Sequence, residues 1–318
     1  MDGSREEDVP ISRAFRFGGA AFSAPSWPQW ADNARRLEDL GYSTLLISDH
    51  FNPRNFAAIP ALTAAALATT SLRVGCTVFD NDFRHPALLA KEAATLDLLS
   101  DGRLEFGIGA GWKKDVDYDR TGIPFDPPGT RVGRLEEAVR LIKRLWTEEA
   151  VTFAGRYYHV HELENRPRPM QRPHPPIFIG GGGKRLLSFA AREADIVGVA
   201  AQALPEGGLA IAQDTMELLR EKVGWVREAA GERFDRIELA ALIWEVVVGD
   251  DVQVAAEEAG RGLTAEQVLA SPYFLVGSLA KITEDLVALR ELFGISYFTV
   301  FDHDAEEFAP IVARLAES

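Results

Sequence analysis

The 318-residue sequence has very little cysteine, few basic residues and no long hydrophobic run. Its one cysteine, Cys76, excludes an intramolecular disulfide and a zinc site built from several cysteines. No stretch approaches the ~18 consecutive apolar residues that a membrane span needs. The 34 basic residues face 48 acidic ones, and the resulting net charge of −14 repels nucleic acid and anionic membranes. We therefore expect a cytoplasmic protein whose partner is a small molecule.

The N-terminal segment 1–13 is charged and has no apolar core of the kind found in signal peptides. We expect this segment to be a flexible leader. The rest of the chain is rich in hydrophobic residues, which make up 47% of the whole sequence. Because (β/α)8 barrels commonly reach this length as one unit, we predict a single domain over residues 14–318.

Short runs of large aliphatic residues alternate with amphipathic stretches along most of the chain. The runs predict eight strands, near residues 15, 44, 73, 103, 176, 195, 237 and 295. Strands separated by helices indicate a parallel sheet, and eight such units favour a closed (β/α)8 TIM barrel, of the α/β class, over an open doubly wound sheet. The glycines of the first strand lack the G-x-G-x-x-G fingerprint, which also argues against a dinucleotide-binding fold.

Several segments interrupt this alternation. Residues 111–130 are polar and rich in proline and glycine, which predicts a non-helical insertion after strand four. Residues 151–160 predict a hairpin, and the five prolines of residues 166–176 predict an extended, polyproline-like segment. Residues 206–230 are predicted to be helical, and residues 237–248 to form one long strand with a bulge.

An acid and an imidazole, Asp49 and His50, follow the strand-like run at 44–47 after one serine, Ser48. The carboxyl ends of barrel strands are where active sites are built, and histidine exchanges protons near neutral pH. We take His50 and Asp49 as the candidate catalytic residues. The alternative is structural: Asp49 caps a turn and His50 packs on a loop.

Two glycine clusters follow other predicted strands. Gly180, Gly181, Gly182 and Gly183 lie between a strand and a helix, with Lys184 and Arg185 next in the chain, a pattern that favours phosphate binding at a helix N-terminus. A merely tight strand-to-helix turn is the alternative. The second cluster, Gly109, Ala110 and Gly111, ends strand four. Together the clusters could bracket one extended phosphorylated ligand.

The remaining polar motifs are less informative. His159 and His161 alternate along one strand, but no third ligand is in view, so we predict no metal site. Arg166, Arg168 and Arg172 are either a solvated face or the partners of the outer part of an anionic ligand.

These motifs, in this order and spacing, resemble the luciferase-like monooxygenase superfamily, and most closely its branch that uses the deazaflavin coenzyme F420. The resemblance runs from about residue 15 to residue 301. It is carried by Ser48-Asp49-His50, the segment 74–78, the segment 102–112, Gly155-Arg156-Tyr157-Tyr158 and the segment 173–184.

The resemblance implies a barrel with insertions that binds a flavin-type ring at the carboxyl ends of its strands. Asp49 would lie near the deazaflavin ring, and His50 would be the acid–base residue. Thr77 and Val78 fall where this family has a non-proline cis peptide that supports the ring. Ala110 and Gly111, with Gly181–Lys184, would surround the phosphate and tail. A homodimer is also implied.

One position departs from the branch's sugar-phosphate dehydrogenases, which have a glutamate where this chain has Trp112. This disfavours a sugar phosphate and suggests a more apolar substrate face, for which Trp112 and Phe79 are the candidate pocket residues. The leading hypothesis is an F420-dependent oxidoreductase that transfers a hydride to or from an organic substrate. The alternatives are a monooxygenase that receives reduced FMN from a separate reductase, and a non-catalytic binding barrel.

Overall fold

Eight parallel strands close into a ring in the computed structural model, which describes residues 13–260 and 262–316. The strands of the chain are β1 (Arg16–Ala20), β2 (Thr44–Ile47), β3 (Arg73–Cys76), β4 (Phe79–Asp80), β5 (Leu104–Gly109), β6 (Val151–Ala154), β7 (His159–Leu163), β8 (Ile177–Gly181), β9 (Ile196–Val199), β10 (Glu238–Leu242), β11 (Glu245–Val248), β12 (Phe274–Gly277) and β13 (Ile295–Phe301). Around the barrel the order is β1, β2, β3, β5, β8, β9, β10 and β13, which pairs again with β1. The eight predicted strands and the TIM-barrel fold are confirmed.

Eight of the described helices cover the outside of the barrel: α1 (Trp27–Asp39), α2 (Ala58–Ala68), α3 (Pro86–Leu99), α4 (Pro128–Thr147), α5 (Lys184–Glu193), α6 (Met216–Ala230), α9 (Leu279–Phe293) and α10 (Ala305–Leu315). The short helices α7 (Val252–Glu258) and α8 (Ala265–Ala270) pack instead on β11 and β12. All residues of β2 and of β13 are buried. Burial on both faces explains why the strands read as continuous apolar runs rather than alternating ones. Within the described ranges, no helix is both long and apolar enough to cross a membrane.

Three predictions about the insertions need correction. Residues 111–130 are not free of helix, because Lys114–Tyr118 form a π-helical turn and α4 already begins at Pro128. The helix predicted from residue 206 begins only at Met216. The long strand at 237–248 is two strands: β10 stays in the barrel, whereas β11 leaves it and pairs with β12. The segment from β11 to β12 is thus a second excursion from the barrel, which the sequence did not reveal. The predicted hairpin is confirmed as β6 and β7.

The arginine- and proline-rich segment lies at the amino end of the barrel. Its Gln171 donates to the carbonyl of Leu104, the first residue of β5 (2.8 Å), and accepts from Arg73, the first residue of β3 (3.1 Å). The segment bends repeatedly over residues 170–175 instead of extending as a polyproline helix. Arg166, Arg168 and Arg172 lie on the segment that enters β8 at the amino end of the barrel, a position that favours the solvated face over contact with the outer part of an anionic ligand at the other end.

The interior near this amino end contains a network of charges. Glu105 is 3% exposed and accepts hydrogen bonds from Arg16 and from Arg73 (2.8 Å). Arg16 also bonds Glu238 (2.6 Å), and its guanidinium lies over the ring of Tyr297. These charges are paired within the barrel floor, so they act in packing rather than at the mouth.

Candidate active site

The predicted site residues follow the carboxyl ends of four barrel strands. His50 follows β2, Val78 follows β3, Gly111 follows β5 and Gly183 follows β8. Because all barrel strands are parallel, these ends lie at the same mouth of the barrel. The fold thus brings the acid–imidazole pair and both glycine clusters to one face of the protein.

His50 is held by an aspartate that the sequence did not single out. Its Nδ1 lies 2.7 Å from Oδ2 of Asp117, a fully buried residue of the π-helical turn. The backbone N–H of Phe51 donates to the other oxygen of Asp117 (2.8 Å). A carboxylate can only accept, so this bond places a proton on Nδ1 and leaves Nε2 of a neutral imidazole as an acceptor. The His50 ring also makes an edge contact with Trp112, with ring centroids 5.7 Å apart.

The π-helical turn that carries Asp117 is itself fixed by the next residue, Tyr118. The hydroxyl of Tyr118 donates to Asp80 (2.7 Å) and lies 3.2 Å from a carboxylate oxygen of Asp82. Burial raises the pKa of Asp80 to about 7. No pattern in the sequence marks Asp117, because its contact with His50 spans 67 residues and depends on an irregular turn.

Asp49 is engaged by an arginine rather than by His50. Arg84 approaches it with two nitrogens, Nη1 at 2.5 Å from Oδ2 and Nη2 at 3.2 Å from Oδ1. The backbone N–H of Asp80 donates to the same carboxylate (3.3 Å). Asp49 is 6% exposed, so both oxygens lie inside a small polar cluster. This arrangement suits a positioning group better than a free base.

The turn between β3 and β4 contains the expected non-proline cis peptide, at Thr77–Val78. The side chain of Val78 lies against Gly109: a Cβ atom there would come within 2.4 Å of its Cγ2. Phe79 is fully buried and packs on Phe106, with centroids 5.7 Å apart. The structure therefore does not bring Phe79 to the open mouth, whereas Trp112 lies beside His50.

The turn after β5 is shaped by its buried neighbours. Gly111 has φ +70°, and a Cβ atom there would overlap the hydroxyl of Tyr118. Glycine is thus needed both for the backbone conformation and for the close approach of Tyr118. The carbonyls of Ala110 (2.6 Å) and Gly111 accept hydrogen bonds from the buried Arg131 of α4.

The four glycines at the end of β8 differ in whether the surrounding structure requires a glycine. A Cβ atom at Gly182 would lie 2.5 Å from the carbonyl oxygen of Ala200 and from the backbone nitrogen of Gln202, so this position is needed for packing. A Cβ at Gly181 would meet Leu186, and one at Gly180 would come within 3.1 Å of Phe178. At Gly183, the N-cap of α5, nothing lies within 4 Å. The open N-terminus of α5 matches what an anion needs.

The two cations that follow the glycines point to outer helices. Lys184 is 60% exposed and lies 3.7 Å from Glu228 of α6. Arg185 is 54% exposed, with Nε 3.1 Å from Glu136 of α4. Both side chains thus already have an acidic partner, and the backbone N–H groups of α5 are the stronger candidates for an anion.

Comparison with known proteins agrees with this geometry. The family model for luciferase-like monooxygenases matches residues 11–310. The chain belongs to the luciferase-like monooxygenase family. Among solved structures, an F420-dependent secondary alcohol dehydrogenase in complex with an F420–acetone adduct has a TM-score of 0.78 at 18% sequence identity, covering 95% of this chain and 99% of that one.

Curated relatives with higher identity match a shorter part of the chain. An F420-dependent glucose-6-phosphate dehydrogenase of Kineococcus radiotolerans is 37% identical over 172 residues, 52% of this chain and 50% of that protein. An FMNH(2)-dependent dimethylsulfone monooxygenase of Pseudomonas putida is 34% identical over 132 residues, 42% of this chain and 36% of that protein. The chain thus spans half or less of the length of the curated relatives it matches here.

Proposed function

We propose that the protein is an F420-dependent oxidoreductase that transfers a hydride between the deazaflavin and an organic substrate. The observation that carries the proposal is His50, held by the buried Asp117 at the same mouth as the open N-terminus of α5. The similarity to F420-dependent enzymes supports the choice of cofactor. The coenzyme, when bound, supplies or accepts the hydride.

The residues at the mouth fit such a ligand. Gly183 leaves open space at the N-terminus of α5, where a phosphate is stabilised by free backbone N–H groups and the helix dipole. The turn at Thr77 and Val78, backed by Gly109, offers a surface against which a flat ring can lie. Arg131 bonds to the carbonyls of Ala110 and Gly111 and so holds the turn after β5 in place at the barrel mouth.

His50 is the residue to which we assign proton transfer. With Nδ1 bonded to Asp117, Nε2 takes the hydroxyl proton when an alcohol carbon loses its hydride, and returns a proton to the oxygen in the reverse direction. Asp117 holds the ring in one orientation and stabilises the imidazolium that forms. Asp49, bound to Arg84, positions the strand end and takes no proton in this scheme.

Titration of the purified protein with F420 and with FMN tests the proposal. We expect micromolar or tighter binding of F420, measured by the change in deazaflavin fluorescence, and weaker binding of FMN. Absence of F420 binding in this range would contradict the proposal.

A glycine substitution tests which backbone groups contact the ligand. Gly183→Ala introduces a methyl group into open space at ordinary backbone angles, so we expect an unchanged melting temperature. If the phosphate lies on this turn, F420 should bind about fivefold more weakly or worse, equivalent to ~1 kcal/mol of helix-terminus interaction. Gly224→Ala is the matched control, because its Cβ also meets nothing and it lies within α6. Equal F420 affinities for the two variants would place the phosphate elsewhere.

A flavin monooxygenase is the second candidate, favoured by the similarity to the dimethylsulfone monooxygenase. In that case the protein would consume oxygen with reduced FMN delivered by a separate reductase, and would not bind F420. An oxygen electrode with photoreduced FMN distinguishes the two candidates without a reductase.

We also propose that the protein works in the cytoplasm as a homodimer, as the family resemblance implies. Light scattering of the purified protein at micromolar concentration measures the assembly directly. A monomer mass of 34.9 kDa would contradict the dimer.

A further inference from the structure

A cleft of about 620 Å³ lies above the carboxyl ends of β9 and β10. One wall is the loop that follows β9, and the other is the excursion that carries β11 and β12. Its large apolar lining side chains are Leu204, Leu209, Ile211, Leu218, Trp244, Leu263 and Phe274. This volume and lining are typical of a pocket for a small organic ligand.

The loop that lines the cleft also contacts the segments around His50. The loop after β9 packs on the glycine turn, since Ala200 and Gln202 approach Gly182. Farther along, the same loop reaches the insertion after β5, because the Cβ position of Gly207 lies 3.0 Å from Lys114 and 3.4 Å from the carbonyl oxygen of Trp112. Trp112 in turn contacts the His50 ring. The loop that lines the cleft thus reaches Trp112, the residue that packs against the group assigned to proton transfer.

The polar groups of the cleft do not suit an anion. They are Gln202, Gln213 and Asp214, and none of the lining residues is cationic. Lys222, which contacts the lining residue Asp214, is 1% exposed and is also bonded to the carbonyl of Ala200 (2.9 Å). Asp214 has one oxygen, Oδ2, with no hydrogen-bond partner among the described residues. Among the described residues that line the cleft, a phosphate would face a buried carboxylate without a free positive side chain, which is strongly unfavourable.

We propose that this cleft binds the substrate, and that the substrate is an uncharged, largely hydrocarbon molecule rather than a sugar phosphate. The inference rests on the proposed function, because it assumes that hydride transfer takes place next to His50. It separates this chain from the glucose-6-phosphate dehydrogenases it resembles over about half its length.

Binding of a homologous series to the cofactor-free protein tests the inference. The probes are the 2-alkanones from 2-butanone to 2-decanone, with glucose 6-phosphate as the charged comparison, and the measurement is isothermal titration. Each added methylene that becomes buried should tighten binding by up to about fourfold, the equivalent of ~0.8 kcal/mol, until the cleft is full. Glucose 6-phosphate should not bind. A flat series, or tighter binding of glucose 6-phosphate than of every alkanone, would overturn the inference.

A pair of substitutions tests whether the alkanones bind in this cleft. Ala212→Phe places a ring in the cleft and should weaken the best alkanone at least tenfold. Ala280→Phe is the control, because this alanine is exposed on α9 beside a different surface groove and should leave the affinity unchanged. Equal losses in both variants would contradict the assignment to the cleft. If Ala212→Phe fails to fold, the dependence of affinity on alkanone chain length in the unsubstituted protein still tests the inference.

The two proposals fail in distinguishable ways. Alkanone binding without F420 binding would contradict the F420 proposal but support an apolar binding cleft. F420 binding, together with alkanone affinities that do not change with chain length, would contradict the cleft inference but support the proposed cofactor.

Discussion

We expect His50→Ala to lower kcat by roughly 10²- to 10⁴-fold, the usual contribution of a positioned general acid or base. The substrate for the assay is the tightest-binding 2-alkanone, with reduced F420 as the hydride source. F420 affinity should change little, because the predicted phosphate contacts come from the turn at Gly183 on another strand end. The expected pattern is therefore a loss in kcat with an unchanged Kd for F420. An unaltered kcat would remove His50 from the reaction, whereas absence of turnover in both proteins, with F420 still bound, would favour the non-catalytic barrel.

The substitution Asp117→Asn tests whether Asp117 orients the His50 ring or only fills the space beside it. The asparagine has the same shape, but its amide N–H₂ can donate to Nδ1 of His50, which would move the imidazole proton to Nε2. We expect a loss of kcat of up to ~10⁴-fold, as the wrong tautomer causes in a histidine–aspartate pair of this kind. Asp115→Asn is the matched control, since Asp115 lies on the same turn but is exposed.

A spectroscopic measurement makes this test independent of any substrate. The ¹⁵N chemical shifts of the His50 ring report which nitrogen carries the proton. They should show protonated Nδ1 in the unsubstituted protein and a changed pattern only in Asp117→Asn. If the shifts are the same in both proteins, Asp117 supports the turn but does not set the tautomer.

The architecture could be predicted from the sequence because barrel strands are buried on both faces. Runs such as Leu45-Leu46-Ile47 of β2 are continuously apolar, and turn residues separate them from the next helix, so eight strands were identifiable one by one. The carboxyl-end rule then placed His50 and the glycines at one mouth without any knowledge of contacts. The local hydrophobic pattern and the order of the elements were therefore sufficient to predict the barrel and the end at which the site lies.

The parts that were missed depend on contacts between distant segments. Asp117 acts on His50 only because Tyr118 bonds to Asp80 and holds the turn against the barrel. Strand β11 leaves the barrel because it pairs with β12, some 29 residues later, and this pairing has no local signature. The glycines at 180–183 resembled a phosphate loop as a group, yet Gly182 is required for packing against Ala200. A sequence motif therefore located the site, whereas the role of each residue depended on its neighbours in space.

Removing Arg84 should have the largest effect on stability. Arg84→Met leaves the Asp49 carboxylate buried beside an apolar side chain, with the N–H of Asp80 as its remaining donor among the contacts described above. Removing one member of a buried ion pair typically costs 3–5 kcal/mol, and because Arg84 is partly exposed we expect about 3 kcal/mol. Urea unfolding at pH 7 measures this loss. Arg35→Met is the control, because its partner Asp32 is 71% exposed and the pair should contribute less than ~1 kcal/mol.

The double substitution Arg84→Met with Asp49→Asn shows whether the cost arises from the uncompensated charge. The amide is neutral and can still accept from the N–H of Asp80, so we expect it to recover more than half of the lost free energy of unfolding. Recovery would mean that the lost stability arises from the uncompensated charge of Asp49 and that Arg84 stabilises the fold by neutralising it. If the double variant is as unstable as Arg84→Met alone, Arg84 stabilises the fold through other contacts, such as that of its Nε with Glu92 at 3.7 Å. In that case Asp49 would again be open to a direct role in the chemistry.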